Sequence, residues 1–281
     1  MECTLRFWGV RGSVPTPGPA TAAVGGNTSC VEVRAGDELI VLDAGTGLRR
    51  LGDHLMRQGG DVRASILFSH VHWDHVQGIP FFGPLFQPQT ELILYGSPEG
   101  ETLETALNKQ MTGPSFPVPL RAVPSQLAYG AVADGEAFSI GAARITPRAL
   151  NHPNGVFAYR IDVGDRAIVY ATDTEHYPDR VDADLVDLAR GADVLIYDAM
   201  YTPEDYERRV GWGHSTWVEG ARVARAAGVG SLVLFHHDPA SDDARVAAIE
   251  REAAAALPGT IAAREGLVLS LPGGGAISEA A

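Results

Sequence analysis

The chain has 281 residues, 45% hydrophobic and 20% charged, the composition of a soluble globular protein long enough for one large core. A single domain spanning 1–281 is therefore expected. With 35 Asp and Glu against 22 Lys and Arg, the formal charge is -13, a field that repels polyanions, so long nucleic acid is not expected as a partner. Cys3 and Cys30 are too few for a disulfide framework and show no C-x-x-C spacing. No apolar run approaches the roughly 18 residues of a membrane span. The start, MECTLRFWGVRGS, lacks the charged-then-apolar pattern of a secretory signal, which makes the cytoplasm the expected location.

In chain order, Phe7-Trp8-Gly9-Val10-Arg11-Gly12-Ser13 and Gly25-Gly26-Asn27-Thr28-Ser29 come first. Short apolar, β-branched runs follow at 38–42 and 64–68, with a helical pattern between them at 46–58. A strand at 91–95 precedes a helical pattern at 98–110. The segment 111–124, MTGPSFPVPLRAVP, holds four prolines among apolar residues and reads as a long irregular loop. Phe116 and Val118 make an active-site lid the expected role, with a plain surface connection as the alternative. Strands are expected at 143–146, 156–163 and 167–170, the last two separated by Gly164-Asp165 as in a hairpin. Helix 183–189, strand 194–197, helix 216–227, strand 231–235, helix 241–257 and strand 267–271 complete the chain. Ser215 and Ser241 stand where helix caps belong. Strands and helices alternate with strands in excess, which predicts a layered α/β architecture.

The chemistry concentrates in Ser69-His70-Val71-His72-Trp73-Asp74-His75, directly after the apolar run ASILF. Imidazole nitrogen and carboxylate oxygen suit zinc and related divalent ions, and the spacing lets His70 and His72 clasp one ion while Asp74 and His75 reach another. Three more candidates follow apolar strands: His152 after ARITPRALN, Asp173 after AIVYAT and His236 after SLVLF. In layered α/β folds the strand ends along one edge converge, so these can meet in one pocket. His237 is the rival to His236, which comes first after its strand.

This pattern, HxHxDH followed by a distant His, Asp and His, resembles the metallo-β-lactamase superfamily almost end to end. The resemblance implies a four-layer αββα sandwich with a dimetal site at one edge of the two sheets. It implies that His70, His72 and His152 complete one site, that Asp74, His75 and His236 complete the other, and that Asp173 bridges two divalent ions. Zinc suits this donor set best, with manganese or iron as alternatives. The strand-to-turn run Leu42-Asp43-Ala44-Gly45-Thr46-Gly47 also belongs to the pattern, with Asp43 behind the ligand loop rather than on a metal.

Two further motifs, Ile196-Tyr197-Asp198-Ala199-Met200-Tyr201 and Gly213-His214-Ser215-Thr216, resemble the phosphodiesterase branch, which includes ribonuclease Z and the phosphonate-pathway cyclic phosphodiesterase. Ribonuclease Z usually has Glu where Asp198 stands. The implied catalytic set is Asp74, His214 and Asp198: Asp198 favours imidazolium at His214, which stabilises phosphate charge or protonates a leaving oxygen. The amino-terminal run resembles the same branch, with Arg11 as a candidate holder of a phosphate oxygen. An arginine in a tight turn between Gly9 and Gly12 is the structural alternative. The chain lacks the tRNA-gripping insertion of ribonuclease Z, so a small phosphodiester or cyclic phosphate, attacked by a metal-bridging hydroxide, is the expected substrate. A thioester or ester hydrolase of the glyoxalase II kind and a non-catalytic metal-site binding protein are the alternatives. Ribonuclease Z relatives often form homodimers, but this sequence carries no interface signature of its own.

Overall fold

A computed structural model describes residues 3–97, 102–273 and 277–279. In chain order its elements are β1 (Cys3–Gly9), β2 (Cys30–Ala35), β3 (Glu38–Leu42), α1 (Gly47–Gln58), β4 (Arg63–Leu67), α2 (Trp73–Val76), β5 (Glu91–Gly96) and α3 (Leu103–Gln110). There follow β6 (Gln126–Ala131), β7 (Phe138–Ile140), β8 (Ala143–Leu150), β9 (Val156–Val163), β10 (Arg166–Ala171), α4 (Ala183–Ala189), β11 (Val194–Asp198) and α5 (Pro203–Tyr206). The last elements are α6 (Trp217–Ala227), β12 (Ser231–Phe235), α7 (Asp243–Ala256), β13 (Ile261–Ala262), β14 (Val268–Leu271) and β15 (Ser278–Glu279).

The strands form two mixed sheets, ordered β15-β14-β1-β2-β3-β4-β5-β6 and β13-β12-β11-β10-β9-β8-β7. β3 to β6 run parallel in the first sheet, as do β10 to β13 in the second. Alternation along each strand produces three cores. In β3, Ile40 and Leu42 face the second sheet, where they join Tyr159, Ile168 and Phe235. Leu39 and Val41 point the other way, onto Leu48, Leu51 and Leu55 of α1. On the outer face of the second sheet, Val169, Leu195 and Leu234 are covered by Leu185 and Leu188 of α4 and by Ala221 and Ala224 of α6. Each central strand is buried on both faces, which is why it reads as a continuous apolar run. Helix, sheet, sheet and helix make the αββα sandwich that the family resemblance implies, within the layered α/β class expected from the alternating elements.

Local differences have physical causes. β8 continues past the expected end at Thr146 through Pro147 to Leu150. Beyond Ile145 only β9 pairs with it, and a residue lacking an N–H is tolerated on such an open edge. The caps fall one residue later than expected: Thr216 Oγ1 accepts from Glu219 N–H, and Asp242 Oδ1 accepts from Arg245 N–H. Helix α3 begins at Leu103, and residues 98–101 of the expected helix lie outside the described residues. In the 111–124 segment, Met111 and Leu120 are buried, while Phe116 packs edge-on to Phe81 at 5.8 Å. Met111, Leu120 and Phe116 thus pack on the outer core of the first sheet. Among the described residues, no helix is long and apolar enough to cross a membrane.

Candidate metal centre

The carboxyl ends of β3, β4, β10, β11 and β12 open on one edge of the sandwich and carry Asp43, the 69–75 loop, Asp173, Asp198 and His236; the end of β8 adds His152. Among the described residues, five non-glycine residues have positive φ: Ser13, Asp43, Asn154, Asp173 and His236. All five adjoin this edge, and at Asp43, Asp173 and His236 the backbone holds an unfavourable conformation that aims a buried side chain inward. Ser13 N–H donates to Asp74 Oδ2 at 2.7 Å, and Asn154 Nδ2 lies 3.5 Å from His72 Nε2.

Two groups of donors result. His70, His72 and His152 bring ring nitrogens within 4.8 Å of one another, and Asp74, His75, Asp173 and His236 bring two carboxylate oxygens and two ring nitrogens equally close. Asp173 lies between the groups, its Oδ1 3.8 Å from His70 Nε2 and its Oδ2 3.2 Å from His75 Nε2 and 3.3 Å from His236 Nε2. His72 Nδ1 stands 3.2 Å from His152 Nε2. Two nitrogens bound tetrahedrally at zinc distances would be about 3.3 Å apart. His70 Nε2 and His75 Nε2 are buried without a hydrogen-bond partner, a costly state that a bound cation relieves. The donor set therefore fits a metal site.

Hydrogen bonds behind the rings decide which nitrogen faces inward. His75 Nδ1–H donates to Asp43 Oδ2 at 2.7 Å, leaving Nε2 for the cluster. Ser69 Oγ–H donates to the same carboxylate at 2.8 Å and accepts from His70 Nδ1–H at 3.0 Å, so His70 also presents Nε2. Asp43 is fully buried and accepts as well from Ser69 N–H and Tyr170 O–H, each at 2.8 Å. His152 Nδ1–H donates to the Gly213 carbonyl at 2.8 Å. Gly213 has φ of 84°, and a Cβ there would lie 2.4 Å from His152 Nδ1; only glycine allows this approach.

The electrostatics separate neutral from charged groups. Burial, reinforced by neighbouring imidazoles, holds His70 well below the usual histidine range, and burial lowers His72 and His152. Burial opposes charge at His75, but the Asp74, Asp173 and Asp43 carboxylates outweigh it and raise its pKa. Asp74 and Asp173 are likewise buried, yet His75 and His236 keep both well below the usual carboxylate range.

Beside this cluster, His214 Nδ1–H donates to Asp198 Oδ2 at 2.9 Å, and the His214 ring stacks on His236 at 5.0 Å. Asp198 is fully buried and also accepts from Thr174 and Met200 N–H. Burial works against the imidazolium, but Asp198, with Asp173 and Asp74 behind it, raises His214 to about 9. His214 retains an edge to solvent, with a side-chain exposure of 11%.

Other sequence candidates sit elsewhere. His237 points away: its Nε2–H donates to the Ala263 carbonyl at 2.8 Å, and burial lowers its pKa to about 3. It is therefore His236 that joins the cluster. Arg11 corrects a sequence expectation. It is fully buried, with Nε donating to Gly25 O at 2.8 Å and Nη1 to Ser241 O at 2.6 Å, so it ties three loops together and has no exposed face for a phosphate. Its glycine-rich setting resembles an anion site in sequence, whereas in space backbone carbonyls fill the role of the anion.

One participant was missed. Glu175 accepts from Gly211 N–H at 2.6 Å, Gly213 N–H at 2.8 Å and Tyr206 O–H at 2.8 Å. Its backbone bonds Asn151 in both directions, N–H to carbonyl and carbonyl to Asn151 Nδ2, each at 2.8 Å. It thereby fastens the His152 loop to the segment carrying His214. Its proximity to Asp173 in TDTE is the only hint in the sequence.

A family model described as "Beta-lactamase superfamily domain" matches residues 39–237. Ribonuclease Z of Gemmatimonas aurantiaca is 29% identical across 96% of both chains. The metallo-beta-lactamase fold protein YhfI from Bacillus subtilis superposes with a TM-score of 0.73 at 22% identity, covering 96% of this chain and 99% of that one. A diphosphatase from the PhnP family superposes at 0.70 and 22% identity, covering 96% and 98%. Matched over most of its length by the family model, and carrying the family's arrangement of two sheets around a His/Asp cluster, this chain belongs to the beta-lactamase superfamily.

Proposed function

We propose that this chain is a dinuclear metallohydrolase that cleaves a small phosphodiester. The observation that carries the reading is the Asp198–His214 pair at 2.9 Å on the rim of the donor cluster. A thioesterase or a metal-binding carrier has no use for a second, carboxylate-held imidazole beside the ligands. The ribonuclease Z relative and the diphosphatase neighbour are both named for reactions at phosphorus. The charge of -13 disfavours a long polyanion and supports a small substrate.

His70, His72 and His152 would hold one ion and Asp74, His75 and His236 the other, with Asp173 shared between them. Divalent ions there, zinc by donor type, supply water activation and neutralise phosphate charge. The chain's own groups do the rest. Ser13 N–H fixes the Asp74 carboxylate, and Asp43 and Gly213 O fix the ring tautomers. His214, held protonated at Nδ1 by Asp198, turns its other nitrogen toward the departing ester oxygen and can give it a proton.

Substrate profiling of the metal-loaded protein tests the reading, with a phosphodiester and a thioester assayed side by side. Phosphodiester turnover exceeding thioester turnover supports it. Thioester turnover without phosphodiester turnover replaces it with the glyoxalase II kind of chemistry, and no turnover of either with full metal occupancy leaves a binding protein.

A further inference from the structure

Two cavities meet at the metal centre, and His72 lines both. The first, about 760 Å³, runs from His70 and His72 past Val71, Val156 and Phe157. Among the described residues, its lining includes no Asp, Glu, Lys or Arg. The second, about 440 Å³, runs from His72 past His214 to Trp212 and Arg209. Arg209 lies over the Tyr201 ring at 5.0 Å, and Trp212 is 62% exposed.

The two cavities are chemically unlike, and only the second is lined by His214, the imidazole that Asp198 holds at 2.9 Å. A leaving oxygen must lie within reach of His214, so the leaving group extends into the second cavity. The other ester arm then faces the first, whose wall is partly apolar and, among the described residues, uncharged, so it offers a charged group no ion partner there and gains from burying a hydrocarbon one. Resting on the phosphodiesterase reading, we infer that the substrate is an acyclic phosphodiester with two unlike arms. The arm that stays on phosphorus is an uncharged alkyl or aryl group seated between Val71, Val156 and Phe157. A cyclic phosphate, whose two ester oxygens share one small ring, leaves the larger cavity unfilled.

The test holds the leaving group constant. Methyl, butyl and hexyl phenyl phosphates break the same bond, to a phenol that still calls on His214 for its proton, and differ only in the arm that remains. In the wild-type, metal-loaded protein, kcat/KM rises along the series, by about tenfold or more from methyl to hexyl, since each buried methylene contributes up to roughly three- to fourfold. Ala149→Trp places bulk in the first cavity from an exposed position on β8. It brings the hexyl ester down to the methyl level and leaves the methyl ester within about twofold. Equal rates for methyl and hexyl esters in the wild type, or a 3′,5′-cyclic nucleotide turned over faster than the hexyl ester, overturns the inference while the phosphodiesterase reading survives. The wild-type series decides the matter even if the variant does not fold. Failure of every phosphodiester, with thioester turnover intact, removes the phosphodiesterase reading and this inference with it.

Discussion

Replacing Asp43 with Asn should weaken metal binding without dismantling the fold. The carboxylate accepts four hydrogen bonds, one at Oδ1 from Ser69 N–H and three at Oδ2 from Ser69 Oγ, His75 Nδ1 and Tyr170 Oη. Asparagine is isosteric and tolerates the φ of 59° found there. Its amide has one orientation open to it, because the Ser69 N–H cannot rotate and needs an oxygen opposite. The amide NH₂ then faces the other three groups. The two hydroxyls can turn to accept, but His75 can do so only by moving its proton from Nδ1 to Nε2, the nitrogen 3.2 Å from Asp74 and Asp173. One ligand nitrogen is thereby blocked. Loss of a partner behind a metal-bound histidine typically costs 10–100-fold in affinity, or about 1.4–2.7 kcal/mol. Titrating apo protein with zinc against a chromophoric chelator reads this directly, and circular dichroism checks the fold. Two zinc ions bound by a folded Asp43→Asn protein at wild-type affinity would refute the tautomer argument.

Three further outcomes follow from the same geometry. His214→Ala should lower kcat on a diester with a poor alkoxide leaving group by about 10²-fold or more, and much less on a p-nitrophenyl ester that departs without a proton; equal losses on both substrates would remove His214 as the acid. Glu175→Gln puts an amide NH₂ against at least one donor among Gly211 N–H, Gly213 N–H and Tyr206 O–H, at a cost of about 1–3 kcal/mol. Its thermal midpoint should fall by about 2–4 °C per kcal/mol, and metal affinity should fall through His152; an unchanged melt and unchanged zinc affinity would show that the clasp is idle. Cys3 and Cys30 are fully buried, and burial pushes Cys3 up to about 11 and raises Cys30 well above the usual thiol range. A disulfide-exchange reagent at pH 8 should therefore find no reactive thiol in the native protein and two after denaturation.

The site was more legible in the sequence than the elements around it. Ligands that follow apolar strands declare themselves because a buried strand is a continuous hydrophobic run and the donor comes where that run stops. His70, His152 and His236 share this signature, and the fold brings their strand ends to one edge. β6 escaped notice because it is an outer strand with most residues exposed, so it has pairing without an apolar pattern. β2 carries a buried Glu32 that accepts from Trp8 Nε1–H and Arg34, a polar interruption that masks its periodicity. Arg11 and Glu175 show where sequence reasoning stops. The role of each is fixed by backbone groups of distant loops, and no residue type in the sequence announces a backbone partner. The choice between His236 and His237 depends on which way each side chain points after β12, and the positive φ at His236 turns it toward the cluster.

The most direct test of the central claim is hydrolysis of bis-p-nitrophenyl phosphate by purified protein of measured metal content, with His72→Ala as control. Turnover is expected at about two metal ions per chain, with turnover and metal content both reduced in the control. Full metal occupancy in the wild type with no release of p-nitrophenol would contradict it.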